Sequence, residues 1–268
     1  MMTVPTSSSS SKLSINDLTK RFAMPRGEEI VAISGVSFDV EENQVCVILG
    51  PSGCGKSTVL RMIAGLERPS SGSLILDGRS IDGPGRDRGM VFQAYTSFDW
   101  LTVRQNVEYG MRINGVGAKE RRSRADHFIK LVQLSEFADA YPSRLSGGMK
   151  QRVAIARTLA NDPELLLMDE PFGALDAETR WHMQELLVEI ANNTSTTIIM
   201  ITHDIEEAIF VADKIVFMSR HPGRVHRIIV PEFKGGERIA DKEALIAREG
   251  YAELEREIMR LMRQQGGH

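Results

Sequence analysis

Gly50-Pro51-Ser52-Gly53-Cys54-Gly55-Lys56-Ser57-Thr58 fits the pattern G-x-x-x-x-G-K-[ST] at every position, and few nine-residue stretches restrict a fold so strongly. Such a loop works only between a strand and a helix. The apolar run Val45 to Leu49 before it reads as a buried strand, and Thr58 to Leu66 after it reads as a helix. Glycines at 50, 53 and 55 bring backbone N–H groups close to phosphate oxygens with no Cβ in the way. The helix N-terminus, with roughly half a positive charge and unpaired donors, favours the same anion by about 0.3–1 kcal/mol. Lys56 adds a full charge toward the β- and γ-phosphates, and the Ser57 hydroxyl is suited to Mg²⁺. Pro51, Ser52, Cys54 and Thr58 complete the cradle, with Cys54 read as a small loop residue and not a reactive thiol.

Composition narrows the classes. A chain of 268 residues can bury a real core as one large domain with a subdomain. A formal net charge of −3 argues against nucleic acid as a partner, because a phosphate backbone demands clustered Lys and Arg. The one basic run, Lys119 to Arg124, reads as the solvated face of a helix. Two cysteines, Cys46 and Cys54, make neither a disulfide framework nor a metal-ligand pair, which points to a reducing compartment. No apolar run approaches the roughly 18–20 residues of a membrane helix, and Met1 to Ser11 has no signal-peptide core. The expectation is a cytosolic chain whose serine-rich tail, 1–11, is disordered.

In chain order, Leu13 to Phe22 and Val36 to Val40 read as strands around a polar loop at Met24 to Glu29. Phe22 by itself reads as one more core aromatic. Ser73 to Gly78 is a strand entering a turn, and Gly89 to Gln93 another that ends on an amide. Thr102 to Ser135 changes to a helical period, an insertion whose far end, Pro142 to Arg152, offers a second glycine-opened helix start to an anion at Ser146, Gly147 and Gly148.

Leu165 to Met168 then reads as a buried parallel strand ending in Asp169 and Glu170. Alone, two such acids could cap a helix. Ligands of open α/β sheets bind at the carboxyl ends of strands, and with a phosphate loop upstream Asp169 is placed to hold Mg²⁺ through water and Glu170 to orient the attacking water. His203 follows the apolar strand Thr196 to Thr202, at the same sheet edge, which favours a functional role over a structural one. Asp204 and Glu207 have the spacing of a capping box that would fix the backbone after it. Lys214 to Met218 and Val225 to Val230 are further strands joined by a turn at Pro222-Gly223, and Asp241 to Arg263 is amphipathic, packing on the domain or on a partner.

From Leu13 to about Val230 these residues resemble the nucleotide-binding subunit of an ATP-binding cassette (ABC) transporter. Gly50 to Thr58 looks like its Walker A, Gln93 its Q-loop glutamine, Leu145-Ser146-Gly147-Gly148-Met149 its signature, and Leu165 to Glu170 its Walker B with the catalytic glutamate. Asp176 resembles the D-loop aspartate, His203 the switch histidine, and Phe22 the aromatic that stacks on adenine, where the family more often has Tyr. Met149 stands where Gln is commoner in the signature.

The resemblance implies an α/β P-loop NTPase fold: an ABC ATPase core with a mainly parallel sheet, an N-terminal antiparallel β subdomain and an inserted helical subdomain. The expected boundaries are 12–240 for the ATPase domain, with the helical part at about 95–148, and 241–268 for a C-terminal amphipathic helix. It implies ATP and Mg²⁺, with Ser57, Gln93 and Asp169 on the metal and Glu170, His203 and Gln93 in catalysis. It implies a head-to-tail homodimer in which the signature of one copy closes on the γ-phosphate held by Lys56 of the other. Integral membrane permease subunits would dock near the Q-loop, serving indirectly a solute-binding protein, with the chain peripheral on the cytoplasmic face of the inner membrane. Tyr95 to Leu101 supplies aromatics for that groove, although Phe98 and Trp100 serve a core equally well. Asp169 to Asp176, Thr202 to Ala208 and His221 to Arg224 look like the nitrate, sulfonate, taurine and bicarbonate importers. A soluble cassette ATPase acting on DNA or the ribosome would share the motifs, but usually carries two cassettes or a long coiled-coil insertion. A small-molecule kinase would have no use for Leu145 to Gly148.

Overall fold

The computed structural model describes residues 11–25 and 27–265. The expected disordered tail lies outside the described residues except for Ser11. Strands β1 (Leu13–Ala23) and β2 (Glu29–Val40) pair antiparallel. β2 starts well before the alternating Val36 to Val40, because register shifts between Ile15, Leu18, Lys20 and Arg21 interrupt the period of two on which strand recognition rests. Then come β3 (Val45–Leu49), α1 (Lys56–Ile63), β4 (Ser71–Leu76), β5 (Arg79–Ser80) and β6 (Arg88–Val91).

The helical stretch is two helices, α2 (Val103–Ile113) and α3 (Ala118–Leu131), followed by α4 (Gly147–Leu159). Thr102 and Gln105 form a reciprocal capping box that starts α2. On α3 the basic run behaves as a charged helix surface: Arg122 pairs with Asp126 and Arg124 with Glu120, while Arg121 reaches back to Glu108 of α2. The chain continues through β7 (Leu165–Asp169), α5 (Ala177–Asn193), β8 (Thr197–Thr202), α6 (Ile205–Val211), β9 (Lys214–Met218) and β10 (Val225–Ile229). The C-terminal stretch, expected as one helix, is two: α7 (Lys242–Ile246) and α8 (Tyr251–Gln265). Gly250 separates them with φ 95°, and a Cβ there would come within 2.8 Å of Phe233.

Two sheets result. One has the order β2-β1-β4-β5 and is antiparallel; the other, β10-β9-β3-β8-β7-β6, is parallel except for β10. Alternation along the central strands divides the interior. Val45, Val47, Leu49, Leu166, Met168, Ile198 and Met200 face the helical side, while Cys46, Ile48, Leu165, Leu167, Ile199 and Ile201 face α1 and the antiparallel sheet. Both faces of these strands are covered, which is why they read as unbroken apolar runs. No helix among the described residues is long and apolar enough to cross a membrane.

Candidate active site

The phosphate loop leaves β3, whose five residues are all buried, and enters α1 through Gly55 at φ 90°. A Cβ on Gly55 would also lie 2.5 Å from Ile33 of β2, so the loop rests directly on the antiparallel sheet. Lys56 is 5 % exposed, its ammonium held over the loop by the carbonyls of Gly50 at 2.8 Å and Pro51 at 3.1 Å. The Ser57 hydroxyl donates to Asp169 Oδ1 at 3.0 Å. Burial pushes the Asp169 carboxyl above its ordinary range, the Ser57 bond pulling the other way and the neighbouring Glu170 charge adding to the rise. A cation beside it would relieve that cost. The nearby groups are hard oxygens, and among the described residues no cluster of three His, Cys, Asp or Glu forms a closed metal cage. That suits Mg²⁺, which takes one or two protein ligands and completes its shell with phosphate and water. Cys54 is buried with its thiol pushed up by desolvation, as a small packing residue should be.

β7 and β8 end together, with Asp169 opposite Ile201, and the Glu170 N–H donates to the Ile201 carbonyl at 3.1 Å. Glu170 holds a left-handed φ of 44°, a conformation that costs a non-glycine residue about 1–3 kcal/mol and is found where the surroundings enforce it. Its Oε2 lies 3.2 Å from His203 Nδ1. Gln93, two residues past β6, shares the space over Gly173 with Glu170: a Cβ on Gly173 would meet Gln93 Nε2 at 3.4 Å and Glu170 Oε2 at 3.9 Å. Side chains from four segments, β3–α1, β6, β7 and β8, are thus gathered at one edge of the parallel sheet. Half of the expected capping box is present: Asp204 Oδ1 accepts the Glu207 N–H at 3.0 Å, but the Glu207 carboxylate turns inward to Gln184.

Ser146 caps α4, its hydroxyl accepting the Met149 N–H at 3.3 Å. Gly147 lies against the Tyr95 hydroxyl, and Gly148 lets α4 approach Thr179, whose own N–H is capped by Asp176 at 2.9 Å. Among the described residues no hydrogen bond joins Ser146, Gly147 or Gly148 to the phosphate loop. Phe22 is half-exposed near the end of β1, with the Lys20 ammonium 5.0 Å from its ring centre. Trp100 is 71 % exposed, whereas Phe98 packs against Tyr109 at 4.5 Å and under the Arg157 guanidinium. Phe98, Tyr109, Ile113, Arg86 and Arg88 line a groove of about 330 Å³.

One contact has no signal in the sequence beyond a turn. Gly223 donates to the Ala32 carbonyl, and a Cβ on it would lie 1.9 Å from the Cys54 carbonyl, so the β9–β10 turn buttresses the phosphate loop. A glycine after proline announces a turn but not what the turn leans on.

A phosphate loop between strand and helix, with two acids and a histidine at the carboxyl edge of a parallel sheet, defines a nucleotide-hydrolysing protein of the P-loop class. Residues 33–173 match the family model described as ABC transporter. The chain belongs to the ABC transporter family and is an ATP-binding cassette ATPase. It is 48% identical to the nitrate import ATP-binding protein NrtD of Synechocystis over 225 residues, 84% of either chain. It is 46% identical to the taurine import ATP-binding protein TauB of Roseobacter denitrificans over 215 residues, 80% of either chain. A solved dimeric post-hydrolysis state of the cassette MJ0796 bound to ADP and Pi superposes with a TM-score of 0.71 at 34% identity, covering 81% of this chain and 98% of that one.

Proposed function

We propose that this chain is the ATP-hydrolysing subunit of an importer for a small anion, of the nitrate, sulfonate, taurine or bicarbonate kind. The observation that carries the hydrolytic half is the Glu170–His203 pair at 3.2 Å beside the Ser57–Asp169 pair at 3.0 Å. Lys56 and the loop amides bind the β- and γ-phosphates, and Phe22 stacks on adenine. Ser57, Asp169 and Gln93 would hold Mg²⁺, which when bound would neutralise phosphate charge. Glu170 takes a proton from water as its oxygen attacks the γ-phosphorus. The bond to the bridging oxygen breaks, ADP keeps the electron pair, and the proton passes to the released phosphate. His203 fixes the Glu170 carboxylate and contacts the γ-phosphate.

Two copies share two ATP molecules, Ser146, Gly147 and Gly148 of one closing on the phosphates of the other; the MJ0796 cassette, solved as a dimer, supports this reading. Within the chain, 12–240 forms the ATPase domain and about 95–148 its helical insertion. Permease subunits seat in the groove beside Phe98 and Trp100, holding the chain to the cytoplasmic face of the membrane and linking it indirectly to a solute-binding protein. The solute is read from the relatives, since no residue of the site touches it. Glu170→Gln should slow ATP hydrolysis by roughly 10²–10⁴ while nucleotide affinity stays nearly unchanged. Turnover at the unmodified rate would remove Glu170 from this role.

A further inference from the structure

Behind His203 runs a line of buried polar side chains that begins in the C-terminal helices and that the hydrolytic site does not itself require. Lys242, the first residue of α7, is 4 % exposed, with its ammonium 4.4 Å from the centre of the Trp181 ring. It donates to Gln184 Oε1 at 2.9 Å. Gln184, 2 % exposed on the apolar face of α5, donates in turn through Nε2 to Glu207 Oε1 at 3.0 Å. The Glu207 carboxylate, on α6, also faces the Thr202 hydroxyl. That hydroxyl accepts the Asp204 N–H at 3.0 Å, while Asp204 Oδ1 accepts the Glu207 N–H at 3.0 Å. The two neighbours of His203 thus both meet Glu207: Asp204 accepts its N–H, and the Thr202 hydroxyl, which accepts the Asp204 N–H, faces its carboxylate.

The direction of this line is fixed. An ammonium can only donate and a carboxylate accepts, so the Gln184 amide has one orientation and cannot flip. A buried ammonium and a buried carboxylate separated by one amide are costly to keep, and apolar groups of similar volume would fill the same space more cheaply. What apolar groups could not do is hold the Thr202-His203-Asp204 backbone in one setting. The small cavity of about 50 Å³ lined by Glu170, Arg180, His203 and Glu207 is where that setting meets the reacting groups.

We infer that Lys242, Gln184 and Glu207 are positioning residues that aim His203 at Glu170, so that the C-terminal helices govern the hydrolysis rate of a site to which they contribute no phosphate contact. This rests on Glu170 and His203 being the hydrolytic pair.

Steady-state ATP hydrolysis by the full chain tests it. Lys242→Met keeps the stem against Trp181 and removes the charge; kcat should fall roughly 10-fold, as expected for slight misplacement of a reacting group, with KM within about twofold. Lys242→Arg, which retains charge and donors, should restore most of the rate. Glu207→Gln should slow hydrolysis similarly, and the double variant Lys242→Met/Glu207→Gln should be no slower than the slower single, because the two act through one line. ATP-dependent dimerisation in a Glu170→Gln background should be unaffected by Lys242→Met. Full-rate hydrolysis by folded Lys242→Met, additive losses in the double variant, or a loss that Lys242→Arg does not relieve would each overturn the inference. Should Lys242→Met fail to fold, Glu207→Gln decides, and a full rate there is equally fatal. If Glu170→Gln hydrolyses normally, the hydrolytic reading itself falls; if it is slow while Lys242→Met and Glu207→Gln run at full rate, only this inference does.

Discussion

Cys46 sits inside β3, fully buried, and desolvation raises its thiol from 9.0 to about 12, with the Lys214 charge opposing and Asp213 adding to the rise. The unfolded chain therefore releases this proton first as pH rises, so the folded state binds more protons between these two values and its stability falls with pH there. Compared with Cys46→Ala, the wild type should keep a constant stability difference below pH 9, which then shrinks by about 1.4 kcal/mol per pH unit. Denaturant unfolding of both proteins from pH 7.5 to 10.5 measures this, and a difference that stayed flat would mean the thiol is solvated. At this scale the candidate site is largely legible, because Lys56 and Ser57 belong to the phosphate-loop pattern and Asp169, Glu170 and His203 end or directly follow apolar strands. Phe22 enters the candidate site through the family resemblance alone, since an exposed aromatic on an antiparallel strand carries no local mark of a ligand.

Helix α2 illustrates what an element does beyond its own packing. Asn106 is completely buried, and its amide accepts the Phe98 N–H at 2.8 Å while donating to the carbonyls of Phe98, Leu101 and Thr102 at 3.0 to 3.1 Å. It pins the aromatic segment after Gln93 to the helix. Asn106→Ala would leave the Phe98 N–H and the Leu101 carbonyl without their partner, whereas the Phe98 and Thr102 carbonyls keep backbone donors, so we expect a loss of about 1–3 kcal/mol in thermal or denaturant unfolding. Retention of the permease on detergent co-purification should weaken, while ATP hydrolysis by the isolated cassette stays within about twofold. Unchanged stability would show that water replaces the amide. Element types were readable wherever one period held: the buried parallel strands as apolar runs, α8 as an amphipathic stretch. They were misread where geometry broke the period, as in the irregular pairing of β1 with β2 and at Gly250 between α7 and α8. The line from Lys242 to Glu207 could not have been read at all, because its members are 58 and 23 residues apart and Gln184 has no motif around it.

Across the whole molecule, two anion-favouring helix starts stand on different parts of one chain. α1 follows the phosphate loop on the parallel sheet, and α4 opens at Ser146 beside Tyr95 and Thr179. In the dimer proposed above, a symmetric pair of chains would give both starts a phosphate, each site taking its loop from one copy and its signature from the other. The central claim is that shared site, and mixing two inactive proteins tests it most directly. Lys56→Ala removes the charge of the loop, and Ser146→Arg places a bulky side chain where the signature meets the γ-phosphate; each alone should hydrolyse almost no ATP. In a mixed dimer both lesions fall on one site and the other is intact, so an equimolar mixture should recover about a quarter of wild-type site activity if chains pair at random. A mixture as inactive as its components, although mixed dimers are shown to form, would contradict a site shared between two chains.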